Sequence, residues 1–293
     1  MSYRTDLAAE SAALLSRPMP GLAQREERFG QIEFNTVSIS DQETAGAVGK
    51  AVGEYITVTT PPFHSAMEIT EEELCKIAER ISAMLPSEGL VLVVGLGNND
   101  ITPDAIGPRT VHRILATRHI SGELKRQVGL EKLRAVAALA PGVLGQTGIE
   151  TCEIIGAVTR DIRPEAVVVI DALAAKSTKR LGCTIQIANT GISPGSGVAN
   201  SRKELSSQTL GVPVLSIGVP TVVDASTLAG DLLPENEHAD DLRDLFEPGG
   251  QQMMITPREI DNLISHACHT LSLAINKALQ PGMTLEEIGY LAS

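Results

Sequence analysis

Two apolar stretches, LVLVVG at residues 90–95 and AVVVID at residues 166–171, decide the fold of this chain. Each is short, rich in valine and almost free of polar side chains, which is typical of a strand buried on both faces of a parallel sheet. Segments with helical character follow both stretches, and this alternation predicts right-handed crossovers with helices on both faces of the sheet. The sequence therefore predicts a three-layer α/β fold with a mostly parallel sheet.

The rest of the core continues the same alternation. Further strands are predicted at residues 133–139, 183–188 and 213–218. Helices are predicted to follow the strands at about residues 103–117, 147–161, 173–179 and 221–228. The series indicates one continuous sheet rather than two separate ones.

The N-terminal part has a different pattern. Residues 32–39 and 54–59 alternate apolar and polar side chains, which predicts two half-buried strands that pair with each other or extend a sheet edge. Residues 1–30 are polar and give no sheet signal, so they are interpreted as a poorly anchored arm with one short helix at 7–15. The sequence thus predicts a small N-terminal β extension of the main sheet.

Two further helices have recognisable start signals. Thr70 precedes a periodic apolar stripe and Glu73 follows three residues later, which is the capping-box pattern and predicts a helix at 70–85. A final helix is predicted at 256–279, with its first residue as the N-cap and a proline directly after it. Residues 230–252, which are acidic and poor in apolar side chains, are interpreted as a flexible insert.

Composition and charge exclude several classes of protein. The chain has 293 residues and a formal net charge of −12, and an acidic surface disfavours direct contact with nucleic acid or with a membrane of anionic lipid. Its four cysteines are scattered without a C-x-x-C pair, which argues against a zinc cluster or a disulfide framework. No signal peptide and no run of about 18 apolar residues is visible, so we expect a soluble, cytoplasmic protein.

Two aspartates are the strongest candidates for chemistry. Asp171 closes the stretch at 166–171, and Asp104 lies beyond the glycine turn that follows the stretch at 90–95. Because ligands in open α/β sheets bind beyond the carboxyl ends of the strands, both carboxyl groups are expected at one edge of the sheet. The alternatives are structural: Asp171 as a helix N-cap, and Asp104 as a first-turn acid that interacts with the helix dipole.

Two neighbouring carboxyl groups would allow acid–base hydrolysis. Such groups cannot both ionise easily, so the pair shares a proton. The ionised member can take a proton from water, and the protonated member can donate a hydrogen bond to a peptide carbonyl. This chemistry requires no metal, and it predicts a hydrolase that acts on peptide bonds.

Four other polar residues are candidates for a supporting role. Asn98 closes the glycine turn, Glu150 follows the strand at 133–139, and Thr221 and Asp224 follow the strand at 213–218. Glu150 and Asp224 can equally be ordinary acids at the start of a helix. The glycine-rich loop after the strand at 183–188 either accepts an extended peptide or is a flexible connection.

Several common catalytic signatures are missing from the sequence. The turn GLGN at residues 95–98 lacks the third glycine of a dinucleotide-binding motif and the lysine of a P-loop. The six histidines show no H-x-x-x-H spacing. The G-x-S-x-G pattern occurs as GISPG at residues 191–195, but this stretch lies in the glycine-rich loop and not at the strand-to-helix turn that a nucleophile elbow requires. A nucleotide-binding protein, a zinc protease and an α/β-hydrolase are therefore not favoured.

The ordered motifs of the chain resemble those of the germination protease family of spore-forming bacteria. They are GLGN and TPDAIGP within residues 95–108, PGV and TGIET within 141–151, IDALAA at 170–175, SPGSG at 193–197 and GVPTVVDA at 218–225. The match extends from about residue 3 to residue 279, so it covers nearly the whole chain.

The resemblance implies an endopeptidase that begins the degradation of small acid-soluble spore proteins during germination, inside the forespore and spore core. The two proposed catalytic aspartates of the family fall on Asp104 and Asp171. The family's sheet resembles that of hydrogenase maturation peptidases, in which carboxylates at the same edge bind nickel. Members of the family are not thought to need that metal, so no metal or other cofactor is expected. They are tetramers, which implies a homotetramer here.

The resemblance also implies a zymogen that removes its own N-terminal arm. The processing site of the family has an acidic residue, then a hydrophobic one, then small and acidic residues, and TDLAAE at residues 5–10 fits this pattern. Cleavage is expected between Asp6 and Leu7, giving a propeptide of residues 1–6 and a single peptidase domain of residues 7–293. Asp6 can also be an N-cap of the short helix that follows, and both roles are compatible.

Two other functions remain as hypotheses. A metal-dependent maturation peptidase of the hydrogenase-processing type would use Asp104 and Asp171, with Glu150 as a third carboxylate, and would lose activity in a chelator. A non-enzymatic α/β module would bind a peptide or a small molecule without turnover.

Overall fold

In a computed structural model of the chain, the described residues are 5–15, 17–63, 65, 68–120, 122–127, 133–193, 203–225, 228 and 253–292. The strands are β1 (Leu22–Phe29), β2 (Ile32–Ile39), β3 (Gly53–Thr59), β4 (Val91–Gly95), β5 (Val136–Leu139), β6 (Ala166–Ala175), β7 (Thr184–Ala188), β8 (Val214–Asp224) and β9 (Met254–Ile255). The helices are α1 (Ala8–Ala13), α2 (Gln42–Val48), α3 (Glu71–Ala83), α4 (Ile106–Val111), α5 (Gly122–Gln127), α6 (Leu144–Thr147), α7 (Thr151–Ile162), α8 (Ser207–Leu210), α9 (Ile260–Leu279) and α10 (Leu285–Leu291). Two short 3₁₀ turns cover Thr102–Asp104 and Thr178–Arg180.

The strands form one sheet in the order β1-β2-β3-β7-β8-β6-β4-β5, and β9 pairs with β8. Strands β5, β4, β6 and β8 are parallel to one another, whereas β7, β3, β2 and β1 add an antiparallel half. The predicted α/β class with an N-terminal β extension is confirmed, and the sheet is mixed. Strand β7 is antiparallel because the link from β6 is too short for a crossover, which needs a dozen or more residues.

Helices cover both faces of the parallel half of the sheet. In β4, Val91 and Val93 face a core that also contains apolar residues of α3, α4 and α9. The alternate residues Leu92 and Val94 face a second core with Ile155 of α7. All five residues of β4 are buried, which explains why the sequence of this strand is apolar throughout rather than alternating.

The predicted capping box at the start of α3 is confirmed. The Thr70 amide donates to Glu73 Oε2 at 2.9 Å, and the Glu73 amide donates to Thr70 Oγ1 at 3.3 Å. The amide of Gln31, in the turn between β1 and β2, also donates to Glu73 Oε1 at 2.5 Å. Glu73 therefore joins the helix start to the N-terminal strands.

The interpretation of residues 1–30 as a poorly anchored arm is wrong for residues 22–29, which form β1. This strand has mostly exposed, polar residues because it is the outer strand and pairs only with β2, so no apolar face marks it in the sequence. The helix expected at 7–15 is present as α1, and Ala8, Ala9 and Ala12 pack against β2 and β3.

Of the helices predicted after β6 and β8, the one at 173–179 is wrong, and the one at 221–228 is replaced by strand up to residue 224, with helical backbone at Ala225. Strand β6 continues through Ala175 and β8 through Asp224, and the two pair along this whole extension. In β6, alanine and leucine residues with a helical preference thus adopt strand conformation because tertiary pairing overrides local propensity. The final helix begins at Ile260 rather than Thr256, because the Thr256 hydroxyl donates to the Thr221 carbonyl of β8 at 2.9 Å.

The insert interpreted at 230–252 and most of the glycine-rich loop lie outside the described residues. The helix expected at 103–117 is divided into a 3₁₀ turn and the shorter α4. The helix expected at 147–161 begins later, at Thr151, after the separate short helix α6.

Candidate active site

A cavity of about 910 Å³ lies beyond the carboxyl end of β4. Its walls come from the turn after β4, from the second half of β6, and from β7, β8 and the segment around α2. Both Asp104 and Asp171 line it, as does Asp6 of the N-terminal segment. The cavity is therefore at the edge of the sheet where the sequence places the candidate carboxyl groups.

Asp171 lies within β6 and not at its end. Strand β4 ends at Gly95, which pairs with Ile170, so β6 has no β4 partner from Asp171 onward. The residue opposite Asp171 on β8 is Gly218. The Asp171 side chain is only 6% exposed, and its Oδ1 accepts a hydrogen bond from the Ala172 amide at 2.9 Å. The structure contradicts the alternative that Asp171 is a helix N-cap.

Asp104 is held next to the glycine turn that follows β4. Its Oδ2 accepts a hydrogen bond from the Asn98 amide at 2.7 Å. Gly97 has a φ of +112°, and a Cβ atom there would be 2.0 Å from the Asp104 carbonyl oxygen. The Leu96 amide donates to the Ile170 carbonyl at 2.8 Å. The turn thus connects Asp104 to the residue before Asp171, and only glycine allows so close an approach.

The four supporting candidates have different positions. Asn98 acts through its backbone on Asp104, and its side-chain oxygen accepts from the Asp100 amide at 3.0 Å. Thr221 lines the cavity, and its buried hydroxyl has no hydrogen-bond partner among the described residues. Glu150 is at the start of α7 and Asp224 is at the end of β8 beside β9. Neither of these two acids lines the cavity.

The N-terminal segment enters the cavity. The Asp6 amide donates to the Ala174 carbonyl at 3.0 Å, and the Ala174 amide donates to Asp6 Oδ2 at 2.9 Å. Leu7 is completely buried against Leu173, Ala175 and Val223. The alternative that Asp6 is the N-cap of α1 is wrong, because Leu7 is in that position and makes no side-chain cap.

Sequence reasoning missed two residues that contact this segment. The Asp6 carbonyl accepts hydrogen bonds from Gln186 Nε2 at 2.8 Å and from Lys50 Nζ at 3.1 Å. Gln186 is a polar residue within β7, where all five residues are buried, and this is the signal that could have identified it. Lys50 follows the left-handed Gly49 that ends α2, and no feature of its sequence context distinguishes it from a surface lysine.

The described residues contain neither a cluster of potential metal ligands nor a helix that could span a membrane. Within these ranges, no three His, Cys, Asp or Glu side chains are grouped so that they could hold a metal ion. None of the helices in the described part of the chain combines the length and apolar character that crossing a bilayer requires.

The chain is similar to several known proteins. It is 43% identical to the germination protease of Caldanaerobacter subterraneus subsp. tengcongensis, with 99% of this chain and 98% of that protein covered. It is 39% identical to the germination protease of Clostridium tetani, with 98% of each covered, and 35% identical to that of Bacillus velezensis, with 98% and 95% covered. Among solved structures, the [NiFe] hydrogenase maturation protease HycI of Thermococcus kodakarensis matches with a TM-score of 0.38 and 17% identity, covering 68% of this chain and 98% of that one.

The family model described as germination protease matches residues 5–233. This range includes the whole of the 3₁₀ turn with Asp104, strand β6 with Asp171, and the N-terminal segment from Thr5. With the near full-length similarity to the curated relatives, it establishes that this chain belongs to the germination protease family of peptidases.

Proposed function

We propose that this peptidase is an endopeptidase with an aspartate dyad, that its catalytic groups are Asp104 and Asp171, and that its substrates are small acid-soluble spore proteins. The observation that carries the proposal is the shared cavity, which both carboxyl groups line at the edge of the sheet. The proposal also includes self-processing between Asp6 and Leu7, assembly as a homotetramer, and action in the forespore and spore core. Family membership supports each of these parts.

The mechanism follows from two carboxyl groups in one cleft. One of them, ionised, takes a proton from a water molecule while that water attacks the carbon of the scissile amide. The other, protonated, donates a hydrogen bond to the peptide group and then supplies a proton to the leaving nitrogen. Each carboxyl group already accepts one backbone amide, from Asn98 or from Ala172, and these bonds fix the direction of its other oxygen.

The contacts of residues 5–10 support the proposed substrate pattern. Leu7 packs in an apolar cluster, Ala8 and Ala9 are almost completely buried, and Glu10 Oε2 accepts a hydrogen bond from the Lys176 amide at 2.8 Å. Each position thus has a matching environment: apolar for a hydrophobic residue, narrow for small residues, and a backbone donor for an acid. A spore protein with the same order of residues would find the same partners.

The test uses a purified small acid-soluble spore protein as the substrate. Replacement of either carboxyl group by an amide, in Asp104→Asn and Asp171→Asn, should lower kcat/KM by about 10³-fold or more, because a member of a cooperating pair is removed. The thermal unfolding midpoint of each variant should stay close to that of the parent chain. Fragment masses would report the bonds that are cut.

Asp100→Asn is the matched control. Asp100 lies in the same loop as Asp104 but does not line the cavity, and asparagine keeps the oxygen that accepts from Gln146 Nε2. Near-parental activity in this control together with full activity in Asp104→Asn or Asp171→Asn would refute the dyad. If the parent activity disappears in a chelator and returns with one metal ion, the metal-dependent alternative replaces the proposal.

A further inference from the structure

We propose that Lys50 and Gln186 bind the oxygen of the scissile carbonyl and stabilise the negative charge that it acquires during cleavage. The inference rests on the proposed self-processing between Asp6 and Leu7. In the uncleaved chain the carbonyl of that bond belongs to Asp6, and its oxygen accepts both Lys50 Nζ at 3.1 Å and Gln186 Nε2 at 2.8 Å. Two converging donors on one carbonyl oxygen are the arrangement that stabilises an oxyanion.

The register of the sheet places Gln186 on the same face as Asp171. Gln186 of β7 pairs with Gly218 of β8, and Gly218 pairs with Asp171 of β6. Residues opposite one another in neighbouring strands share a face, and two strand spacings correspond to about 10 Å between the outer Cα atoms. Gly218 has no side chain of its own, and the Leu173 side chain packs over it, with Cγ 2.5 Å from where a Cβ atom of residue 218 would be. The sheet thus holds a carbonyl donor and a candidate carboxyl group on either side of a glycine.

Gln186 also holds the other side of the scissile bond. Its Oε1 accepts a hydrogen bond from the Ala8 amide at 2.6 Å, while its Nε2 donates to the Asp6 carbonyl. One buried side chain therefore contacts the chain on both sides of the Asp6–Leu7 bond. This double contact fixes the orientation of the scissile amide in the cavity.

Lys50 adds a positive charge that is partly removed from water. It also donates to the Thr5 carbonyl at 3.0 Å, so its ammonium group lies between two successive carbonyl oxygens. Burial lowers the pKa of Lys50, while the carboxylates of Asp6 and Glu10 act in the opposite direction. An ammonium group in such surroundings interacts more strongly with a developing oxyanion than it would in water.

The chemical step is an ordinary hydrolysis. A water oxygen bonds to the Asp6 carbonyl carbon, one water proton goes to the ionised carboxyl group, and the former carbonyl oxygen becomes the oxyanion between Lys50 and Gln186. The oxyanion then re-forms the carbonyl, the bond to the Leu7 nitrogen breaks, and that nitrogen receives a proton from the carboxyl pair. The products are a carboxyl group on Asp6 and an amino group on Leu7.

The test follows self-cleavage of the full chain by intact-protein mass spectrometry over time. Lys50→Met keeps an unbranched side chain without the charge. Gln186→Glu keeps an acceptor for the Ala8 amide but replaces the donor to the Asp6 carbonyl with an oxygen. Each variant should form the chain that begins at Leu7 about 10²- to 10³-fold more slowly, the usual effect of losing one oxyanion donor. Lys50→Arg should recover part of the rate.

A second readout separates this role from simple docking of the segment. Hydrogen exchange of the Asp6 amide, which is bonded to the Ala174 carbonyl, reports the fraction of chains with the segment in place. In Lys50→Met and Gln186→Glu, we expect the rate of self-cleavage to fall by a much larger factor than the fraction of chains with the segment in place. Lys76→Met, which removes a lysine on the outer face of α3, should cleave at the parental rate. If Gln186→Glu fails to fold, Lys50→Met decides the question alone.

Three outcomes would count against the inference. Parental rates in folded Lys50→Met and Gln186→Glu would overturn it while leaving self-processing intact. A rate that falls only in proportion to the docked fraction would make both residues merely structural. A parent chain that is never cut between Asp6 and Leu7 would remove the proposed self-processing, and the inference with it.

Discussion

At the scale of single residues, Gly97 is the position where backbone geometry and the candidate site meet. Its φ of +112° is strained for any L side chain, and an added Cβ would be 2.0 Å from the Asp104 carbonyl oxygen. We expect Gly97→Ala to displace Asp104 and to lower kcat/KM at least 10²-fold, because small misplacements of a catalytic group have large effects. The loss of stability should be about 1–3 kcal/mol.

The control for this prediction is Gly289→Ala. Gly289 lies in α10, where a Cβ would meet nothing within 4 Å, and alanine is the better helix former by about 1 kcal/mol. This variant should keep full activity and gain slightly in stability. Unchanged kcat/KM in Gly97→Ala, measured on the same peptide substrate, would show that the turn does not position Asp104.

Sequence reasoning predicted that the two aspartates lie at one edge of the sheet, but it did not give the reason for their position. Asp171 is followed by small apolar residues that favour a helix, and the interpretation ended the strand there. In the structure, Leu173 and Ala175 remain in β6 because Leu7 and Val223 cover them. A contact between residues 7 and 173 leaves no local signal, so neither the length of β6 nor the residues that hold Asp6 could be read from the sequence.

At the scale of elements, the start of α3 depends on one carboxylate. Glu73 is only 2% exposed and accepts the amides of Gln31 and Thr70. In Glu73→Gln one acceptor oxygen becomes an NH₂ group that faces an amide donor. We expect a loss of about 1–3 kcal/mol in the free energy of unfolding, measured in urea at pH 7.

Glu73→Gln also tests how the free energy of unfolding depends on pH. Burial raises the pKa of Glu73, but the hydrogen bonds from Gln31 and Thr70 outweigh it and leave the pKa below 4.5. The stabilisation is therefore fully present above pH 4.5 and decreases as the pH falls through the lowered pKa. The difference in stability between the parent and Glu73→Gln should shrink in acid. A difference that stays constant from pH 7 to below pH 4 would contradict this account.

Elements with a strong periodic pattern were predictable, and those defined by distant partners were not. Strand β2 and helix α3 follow from alternation and from a capping box, because both signals are local. Strand β1 has no apolar face, since it is exposed at the sheet edge, and it was missed. The start of α9 was placed too early because Thr256, a plausible cap, bonds to β8 instead.

At the scale of the whole molecule, the N-terminal segment and the proposed activity are coupled. The segment occupies the cavity as part of the same chain, so it competes with any added peptide at a high effective concentration. Cleavage would place a new charged amino group at Leu7, which is completely buried, and an unpaired charge in an apolar cluster is unfavourable. We therefore expect residues 7–10 to leave their buried position beside the cavity after cleavage.

This coupling gives a measurable time course. Activity on an added peptide should rise at least tenfold, in parallel with the fraction of chains that begin at Leu7. Hydrogen exchange at the Ala8 amide should become faster over the same period. Full activity before any chain is cut would show that the segment does not restrict access to the cavity.

The sheet as a whole was only partly predictable. The apolar sequences of β4, β6 and β8 predicted a parallel core. Strand β7 is also buried throughout, yet it runs antiparallel because its short link to β6 keeps the chain at the same edge of the sheet. Strand direction depends on the length of the connection between strands as well as on hydrophobicity. Because a helix was wrongly expected at 173–179, the short length of the link between β6 and β7 was not recognised from the sequence.

The most direct test of the central claim is the intact mass of the chain after incubation, for the parent and for Asp104→Asn and Asp171→Asn. The claim predicts that the parent loses residues 1–6 and that both variants keep them, with folds that melt at similar temperatures. Removal of the same six residues from either variant, at the parental rate, would contradict it.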